Sequence, residues 1–252
     1  MTAPLRLAGR VVVVTGGGRG IGRALAVSCA GQGARVAAVA RTMEQLEETV
    51  RSVERGGGEA IAVTADIMDP HELAAMVDTV TSAFGSLDVL VNNAGIMRFG
   101  SLDEMKHSDF AEVMNVNVVG TFLATKAVVP TMRSQGGGKI INIASTFGLK
   151  ATRGHAAYCA SKAAVIQFTR VAALELARDG IQVNAIAPGY VETDMTAEAL
   201  GDASIRERIS RRIPAQRVSQ PEELGPLVTF LASAESDYMT GETIAFDGGF
   251  HL

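Results

Sequence analysis

A tyrosine and a lysine one helical turn apart are the residues of this sequence best suited to moving a proton. Tyr158 and Lys162 open the apolar stretch AAYCASKAAVIQF, and i, i+4 spacing would place both on one helix face. A phenol with a pKa of about 10 is a poor base near neutral pH, so a nearby cation must lower that pKa. We therefore predict proton transfer by Tyr158, although such a pair taken alone is more often two neighbouring surface side chains.

A glycine-rich segment follows the first apolar run of the chain. Residues 11–14, VVVV, lead through Thr15 into GGGRGIG, with Gly16, Gly20 and Gly22 at the turn. Glycines let the backbone approach a pyrophosphate, and the N-terminus of the following helix meets its charge. The literal GxGxxG spacing is absent, so a tight turn without a ligand is the alternative. The order of strand, loop and helix favours dinucleotide binding.

The end of the second predicted strand indicates which dinucleotide binds. About 20 residues beyond the glycines, an NAD site carries an acidic residue for the ribose 2′-hydroxyl. This chain has Ala40 and Arg41 there, and Arg19 lies in the glycine loop. Because arginine makes charge-assisted contacts with phosphate, NADP(H) is favoured over NAD(H). Alternatively, both arginines are solvated surface charges.

Alternating strands and helices must position these groups. Short segments, most of them apolar and β-branched, predict strands over residues 11–14, 35–40, 59–64, 89–91, 139–143, 182–186 and 243–246. Helical patterns lie between them, for example over 42–55 and from 70 to 84. Since each parallel crossover needs a helix, we predict an α/β Rossmann fold: one domain over 1–252, with a doubly wound parallel sheet of about seven strands and helices on both faces.

Two further stretches predict assembly and gating. The predicted helices at 108–132 and 156–177 are apolar around most of their circumference. One side can pack on the sheet, and the other predicts a subunit interface in a dimer or tetramer, with covering loops as the alternative. Residues 191–214 form a long polar region without a strand, which predicts a mobile lid over the substrate.

Motifs along essentially the whole chain together resemble those of the classical short-chain dehydrogenase/reductase family. Two of these motifs are the glycine loop and the Tyr158–Lys162 pair. The others are Asn92-Asn93-Ala94-Gly95, Val116-Asn117, Ser145 thirteen residues before Tyr158, Pro188-Gly189 and Asp247-Gly248-Gly249. The resemblance implies an oxidoreductase that interconverts a ketone and a secondary alcohol with NADP(H).

The resemblance implies catalytic roles for four residues. Tyr158 looks like the general acid in reduction and the general base in oxidation, and Lys162 lowers its pKa and holds the nicotinamide ribose hydroxyls. Ser145 would hydrogen-bond the substrate oxygen where negative charge develops. Asn117 resembles the residue that positions a water between the lysine and bulk solvent.

The resemblance also implies the cofactor contacts. Asp66 and the backbone of Ile67 look like the adenine contact, Asn93 and Gly95 line the adenosine side, and Val191 and Thr193 resemble the carboxamide contacts. The full predicted set is Gly16, Gly18, Arg19, Gly20, Ile21, Gly22, Arg41, Asp66, Ile67, Asn93, Gly95, Tyr158, Lys162, Val191 and Thr193. Asn92 and Asn93 have an equally good interpretation as amides that tie strands together.

The substrate pocket is predicted to be apolar. The resemblance places around it Ile96, Met97, Phe99, Phe147, Leu149, Tyr190 and Met195, which favours a hydrophobic ketone or a 3-oxoacyl chain. Proteins similar to 3-oxoacyl-carrier-protein reductases carry basic docking residues near the end of the catalytic helix, where this chain has Arg178 and Asp179. One of the two expected charges is absent there, so the sequence speaks against docking of a carrier protein. We interpret His155 as a loop or helix-start residue rather than a substrate contact.

Composition excludes several other classes. The net charge of −4 arises from 23 basic and 27 acidic residues without a basic run, so nucleic acid is not an expected partner. Cys29 and Cys159 form no metal-ligand or disulfide pattern, and no metal is predicted. The N-terminal apolar run is too short for a signal peptide or a membrane span, so we expect a cytoplasmic protein. The alternatives are a secondary-alcohol dehydrogenase using NAD and a non-catalytic NADP-binding sensor.

Overall fold

The computed structural model describes residues 5–252, apart from the side chains of residues 198 and 199, and this part of the chain contains a single seven-stranded sheet. The strands are β1 (Val11–Thr15), β2 (Arg35–Ala40), β3 (Glu59–Thr64), β4 (Val89–Asn92), β5 (Gly138–Ile143), β6 (Ile181–Pro188) and β7 (Thr243–Phe246). Their order is β3-β2-β1-β4-β5-β6-β7, and all neighbours are parallel. The predicted fold class is confirmed.

Helices cover both faces of the sheet. They are α1 (Gly20–Gly31), α2 (Met43–Arg55), α3 (Pro70–Phe84), α4 (His107–Met114), α5 (Gly120–Ser134), α6 (Ala156–Leu176), α7 (Ala197–Gly201), α8 (Ala203–Arg211) and α9 (Gly225–Ala232). Short 3₁₀ turns lie at Thr146–Gly148, Ala177–Asp179, Pro221–Leu224 and Ala234–Ser236.

The first strand shows why the sheet is buried on both sides. Its residues alternate in direction, so Val11 and Val13 belong to the core under α3, α5 and α6, and Val12 and Val14 to the core under α1, α2 and α9. All four are fully buried. A continuous apolar run of this kind is typical of a central parallel strand.

The prediction of one continuous helix over residues 108–132 is wrong in one respect. A π-helical turn, Asn115–Val119, divides it into α4 and α5. The wider turn contains Asn117, which is almost fully buried and hydrogen-bonded to the loop after β4 and to α6. These tertiary contacts, which the local sequence pattern does not contain, account for the departure from α-helical periodicity.

The segment 191–214 has no strand, as predicted, but it contains α7 and α8. Asp202 begins α8, and its carboxylate accepts hydrogen bonds from the backbone N–H groups of Ser204 and Ile205 at 2.8 and 3.2 Å. A two-point ion pair of Arg206 with Glu192, at 2.9 and 2.7 Å, ties α8 back to the end of β6. Opening of this segment as a lid remains a prediction.

The strand order fixes where a ligand can bind. The chain leaves β1 towards β2 and β3, and leaves β4 towards β5, β6 and β7, so the loops after these two neighbouring strands diverge. Parallel sheets of this kind bind ligands in the crevice outside the carboxyl ends of the strands at such a point. The loops that follow β1 to β6 all meet at that edge.

Candidate active site

A cavity of about 990 Å³ occupies the crevice at the carboxyl edge of the sheet. Every residue of the predicted cofactor set lines it, as does Ser145. Its size lies at the upper end of the range for small-molecule sites. The fold therefore brings the glycine loop and the candidate catalytic residues into one space.

The glycine loop forms a cradle that side chains would fill. A Cβ atom on Gly22 would overlap the carbonyl oxygen of Gly16 and lie 2.6 Å from Nδ2 of Asn93. That same Nδ2 donates to the carbonyl oxygens of Thr15 and Gly16 at 3.0 and 3.2 Å. Asn93 thus fixes the loop against β4, in agreement with the interpretation as a strand-tying amide.

The start of α1 suits an anion. No side chain caps this end of the helix, and its first turn contains no acidic residue. Free backbone N–H groups and the positive end of the helix dipole therefore face the loop at Gly20. Together with the Cβ-free cradle, this arrangement fits the pyrophosphate of a dinucleotide.

The two arginines predicted to select NADP(H) lie on the wall of the cavity. Arg41 follows β2, has an exposed side chain, and places Nη1 3.9 Å from Oδ2 of Asp66. Arg19 in the glycine loop lies 3.6 Å from Oδ2 of Asp194. Both pairs are long and solvent-exposed, so a phosphate can compete for either guanidinium.

Tyr158 and Lys162 lie on the same face of α6. Nζ of Lys162 is 5.6 Å from the centre of the Tyr158 ring, and it donates a 2.8 Å hydrogen bond to the carbonyl oxygen of Ile143 at the end of β5. Ser145 follows β5 directly, and its hydroxyl accepts a 3.1 Å hydrogen bond from the backbone N–H of Phe147. The hydroxyl of Ser145 therefore has a fixed position beside the phenol.

Burial governs the protonation of this pair. Desolvation raises the pKa of Tyr158 to about 12, and a hydrogen bond with Ser145 acts in the opposite direction. Desolvation also lowers the pKa of Lys162 to about 8. In the protein without a bound cofactor, burial therefore dominates the pKa of Tyr158, and a lowering of this pKa by Lys162 together with an oxidised nicotinamide stays a prediction. The arrangement favours a neutral phenol, which is the form that donates a proton.

Asn117 lies behind the cavity wall rather than in it. Its amide oxygen accepts from the backbone N–H of Ile96 at 2.8 Å, and its Nδ2 donates to the carbonyl oxygen of Ile96 and to the hydroxyl of Ser161 at 2.9 Å each. Both amide protons are thus used, and the oxygen can accept one more hydrogen bond. Placement of a water by Asn117 stays a prediction, while a structural role is evident: it fixes the loop after β4 against α6.

The substrate side of the cavity largely matches the sequence analysis. Ile96, Met97, Phe99, Phe147, Tyr190 and Met195 line it. The placement of Leu149 is wrong, because the 3₁₀ turn Thr146–Gly148 carries this residue past the cavity to a partly exposed position. Sequence reasoning missed His155, Leu200, Ile205 and Ile209, which also line the cavity. The i, i+4 spacing of the two isoleucines in the charged stretch IRERISRR, residues 205–212, is an amphipathic signal for the last two.

Comparisons with known proteins were consistent with this geometry. Residues 16–251 match a family model described as enoyl-(acyl carrier protein) reductase. The chain is 42% identical over 245 residues to a 3-oxoacyl-[acyl-carrier-protein] reductase of Thermotoga maritima, covering 97% of this chain and 99% of that one. A structure assigned as a gluconate dehydrogenase of Agrobacterium tumefaciens superposes with a TM-score of 0.95 at 33% identity, covering 99% of both chains. Another, assigned as an NAD(P)-dependent gluconate 5-dehydrogenase of Beutenbergia cavernae with bound NADP, gives 0.92 at 41% identity, covering 98% of this chain and 99% of that one.

Proposed function

The chain belongs to the short-chain dehydrogenase/reductase family of oxidoreductases, and we propose that it interconverts a hydrophobic ketone or 3-oxoacyl compound and its secondary alcohol with NADP(H). The observation that carries the proposal is the placement of Tyr158, Ser145 and Lys162 in the same cavity as the glycine cradle. A site for hydride transfer needs both parts within reach of each other.

The roles of the side chains follow from their positions. When bound, the nicotinamide supplies the hydride in reduction and accepts it in oxidation. The Ser145 hydroxyl donates a hydrogen bond to the substrate oxygen, on which negative charge develops. Tyr158, held neutral by its high pKa, donates its proton to that oxygen. Lys162 supplies the cation that stabilises the tyrosinate left behind, and its hydrogen bond to Ile143 fixes the position of the ammonium.

A preference for NADP(H) is supported by the end of β2. Ala40 and Arg41 stand where an acidic residue would hold the ribose 2′-hydroxyl of NAD. Arg19 brings a second guanidinium into the cavity. The neighbour from Beutenbergia cavernae contains NADP at 41% identity, in line with this proposal.

The charges around the cavity favour an uncharged substrate over a sugar acid. The cavity lining includes the acids Glu112 and Asp202. Among the described lining residues the arginines and lysines are Arg19 and Arg41, at the cofactor end, and Lys162, whose Nζ donates a hydrogen bond to the carbonyl oxygen of Ile143. A carboxylate such as gluconate would have no free cation to meet it on the substrate side.

A substrate carried by another protein is also disfavoured. At the end of α6, Asp179 stands at one of the two positions where a basic docking residue is expected, and it accepts a 2.7 Å hydrogen bond from Nε of Arg133. This ion pair neutralises a cation that would otherwise attract an acidic partner. We therefore propose a free small molecule as the substrate, with binding of a carrier protein as the less favoured alternative.

Assembly into a homo-oligomer of two or four chains is supported by apolar side chains on the outside of α4, the π-helical turn, α5 and α6. The exposed members are Phe110, Val119, Phe122, Val171 and Leu174. An 18-residue stretch within His107–Ser134 has a mean hydropathy of 1.3, high enough for a membrane span on length and composition alone, and less than half of that stretch is buried. We propose that a second copy of the chain covers this surface in a cytoplasmic enzyme. Light scattering that gives the mass of a single chain would contradict the assembly.

A substrate panel tests the proposed function. Aryl ketones, keto esters, acyl-thioester ketones and a sugar acid in its keto form, keto-gluconate, are offered with NADPH or NADH, and the absorbance of the reduced cofactor is followed. We expect turnover of the uncharged ketones with NADPH and little with the sugar acids. Tight NADPH binding without turnover of any substrate would instead support the non-catalytic sensor.

A further inference from the structure

Aromatic rings form a continuous row along one wall of the cavity. The His155 ring lies between Phe99 and Phe147, with centroids 4.8 and 4.9 Å apart and interplanar angles of 82° and 75°. Phe147 continues the row to Tyr190 at 5.8 Å and contacts the ring of Tyr158 at 6.2 Å. The row therefore leads from the proton donor to the outer part of the cavity.

The inner end of the row is held rigidly. Phe147 is buried and packs at 6.2 Å on Phe250, which is also buried. Nζ of Lys150 donates a 2.7 Å hydrogen bond to the carbonyl oxygen of Phe250 and lies 4.3 Å from the centre of its ring. The C-terminal residues thus support the wall from behind.

The outer end is attached to the catalytic helix but left open. The backbone N–H of Gly100 donates to the carbonyl oxygen of Gly154 at 3.1 Å, which joins the loop of Phe99 to the residue before His155. Nδ1 of His155 lies 2.8 Å from the carbonyl oxygen of Arg153. The Phe99 side chain remains 61% exposed although it lines the cavity. A large apolar ring in this position is covered only when a ligand packs on it.

Another part of the cavity lining is aliphatic. It consists of Met195, Leu200, Ile205 and Ile209 from the segment after β6, and Leu200 and Ile209 belong to one apolar cluster with Phe147. Aromatic rings prefer edge-to-face or offset contacts with another ring, whereas aliphatic side chains discriminate little between ring types. Selection for a flat ring can therefore come from the aromatic wall alone.

We propose that the substrate is an aryl ketone whose aromatic ring packs on the wall formed by Phe99, His155 and Phe147, beside the reacting carbonyl. This inference rests on the proposed function. His155 and Phe99 are then specificity-determining residues. His155 maintains the row by linking the other two rings, and Phe99 contributes the outermost contact.

Two ketones of nearly equal size test the inference. Phenyl methyl ketone and cyclohexyl methyl ketone have the same carbon skeleton, but only the first has a flat ring. The diagnostic quantity is the ratio of their kcat/KM values relative to the same ratio in the unmodified enzyme, because this removes their different intrinsic reactivities. We expect Phe99→Leu, which keeps an apolar side chain but removes the ring, to lower the ratio about fivefold.

Three further variants give the controls. Leu102→Ala changes an exposed apolar residue of the same loop outside the cavity and should leave the ratio unchanged. His155→Leu should lower the ratio, and His155→Phe should preserve it because a ring remains between Phe99 and Phe147. Equal ratios in Phe99→Leu and Leu102→Ala, or in the two His155 variants, would overturn the inference.

A binding measurement separates this inference from the proposed function. In the presence of NADPH, with which an alcohol cannot react, 1-phenylethanol should raise the melting temperature more than 1-cyclohexylethanol does, and Phe99→Leu should remove the difference. Loss of turnover with every ketone would refute the proposed reaction and leave this binding difference as the test of the aromatic wall. Equal shifts in melting temperature with the two alcohols would refute selection of a flat ring by the aromatic wall, even if the enzyme is active.

Discussion

Replacing Gly22 by alanine tests whether the glycine loop is a cradle for the cofactor. A Cβ atom at this position would overlap the carbonyl oxygen of Gly16 and lie 2.6 Å from Nδ2 of Asn93, whereas real Cβ atoms essentially never approach closer than 3.0 Å. Both neighbours are held by hydrogen bonds, since Nδ2 donates to Thr15 and Gly16. The loop must therefore move by at least several tenths of an ångström, and those hydrogen bonds must lengthen.

Overpacking of this kind costs about 1–3 kcal/mol, which corresponds to roughly 5- to 150-fold weaker NADPH binding if the strain falls on the binding-competent loop. If the strain falls on the fold, the melting temperature should drop by about 2–12 °C. NADPH affinity is measured by fluorescence titration of the reduced cofactor, and stability by thermal melting without it.

The matched control is Gly31→Ala in the last turn of the same helix. A Cβ atom there would meet nothing within 4 Å, and alanine favours the helix. We expect unchanged NADPH affinity and an equal or higher melting temperature. If Gly22→Ala bound NADPH as tightly as Gly31→Ala at an unchanged melting temperature, the reasoning from the cradle would be refuted.

Three other predictions address the chemistry, the cofactor and acid stability. Tyr158→Phe should reduce kcat by about 10²- to 10⁴-fold with NADPH affinity unchanged. The control Tyr238→Phe, at a fully exposed tyrosine outside the cavity, should leave kcat unchanged. A Tyr158→Phe variant that keeps a tenth of the original turnover would refute the proposed role of Tyr158 as proton donor. Arg41→Asp should shift the ratio of NADPH to NADH affinities towards NADH by about tenfold or more. The control Arg55→Asp, at an arginine paired with Glu48 on α2, should leave this ratio unchanged. Equal ratios in the two variants would show that Arg41 does not contact the phosphate. Hydrogen bonds from Arg206 and Arg217 lower the pKa values of Glu192 and Glu223 from 4.5 to about 2, so the stability from these pairs is present above pH 4.5 and lost as the pH falls towards 2. Urea midpoints at pH 6 and pH 3 should consequently differ less in Glu192→Gln than in the unmodified protein, and an undiminished difference would count against the pair.

The sheet was predictable because its signals are local. Strands β2, β3 and β7 have the predicted bounds, and the other four extend by one to three residues beyond the predicted ends. The inner strands β1, β4, β5 and β6 are short runs of mostly apolar and β-branched residues between helical segments, so their burial on both faces is visible in the chain itself. The resemblance to the family implied that Tyr158, Ser145 and Lys162 act together, and the parallel sheet accounts for their proximity because it brings the end of β5 and the start of α6 to one edge.

Features that depend on distant contacts were not predictable in the same way. The π-helical turn around Asn117 is stabilised through Ile96 and Ser161, which lie 21 and 44 residues away. The pKa of Tyr158 depends on how much water the complete fold excludes, and a sequence shows only its neighbour Lys162. The local sequence favours a loop or helix-start role for His155 over a substrate contact, because its aromatic contacts, Phe99 and Phe147, come from other loops.

The π-helical turn Asn115–Val119 also allows α4 and α5 to face different neighbours. One residue advances an α-helix by about 100°, so a surplus residue rotates everything before it relative to everything after it. Glu112 of α4 is thereby directed to the cavity, while Val128 and Met132 of α5 lie in the core against the sheet. Deleting a single residue between 115 and 119 would restore regular helical geometry and turn one of these surfaces away from its partner, so apart from the buried, hydrogen-bonded Asn117 this short segment should tolerate changes of side chain far better than changes of length.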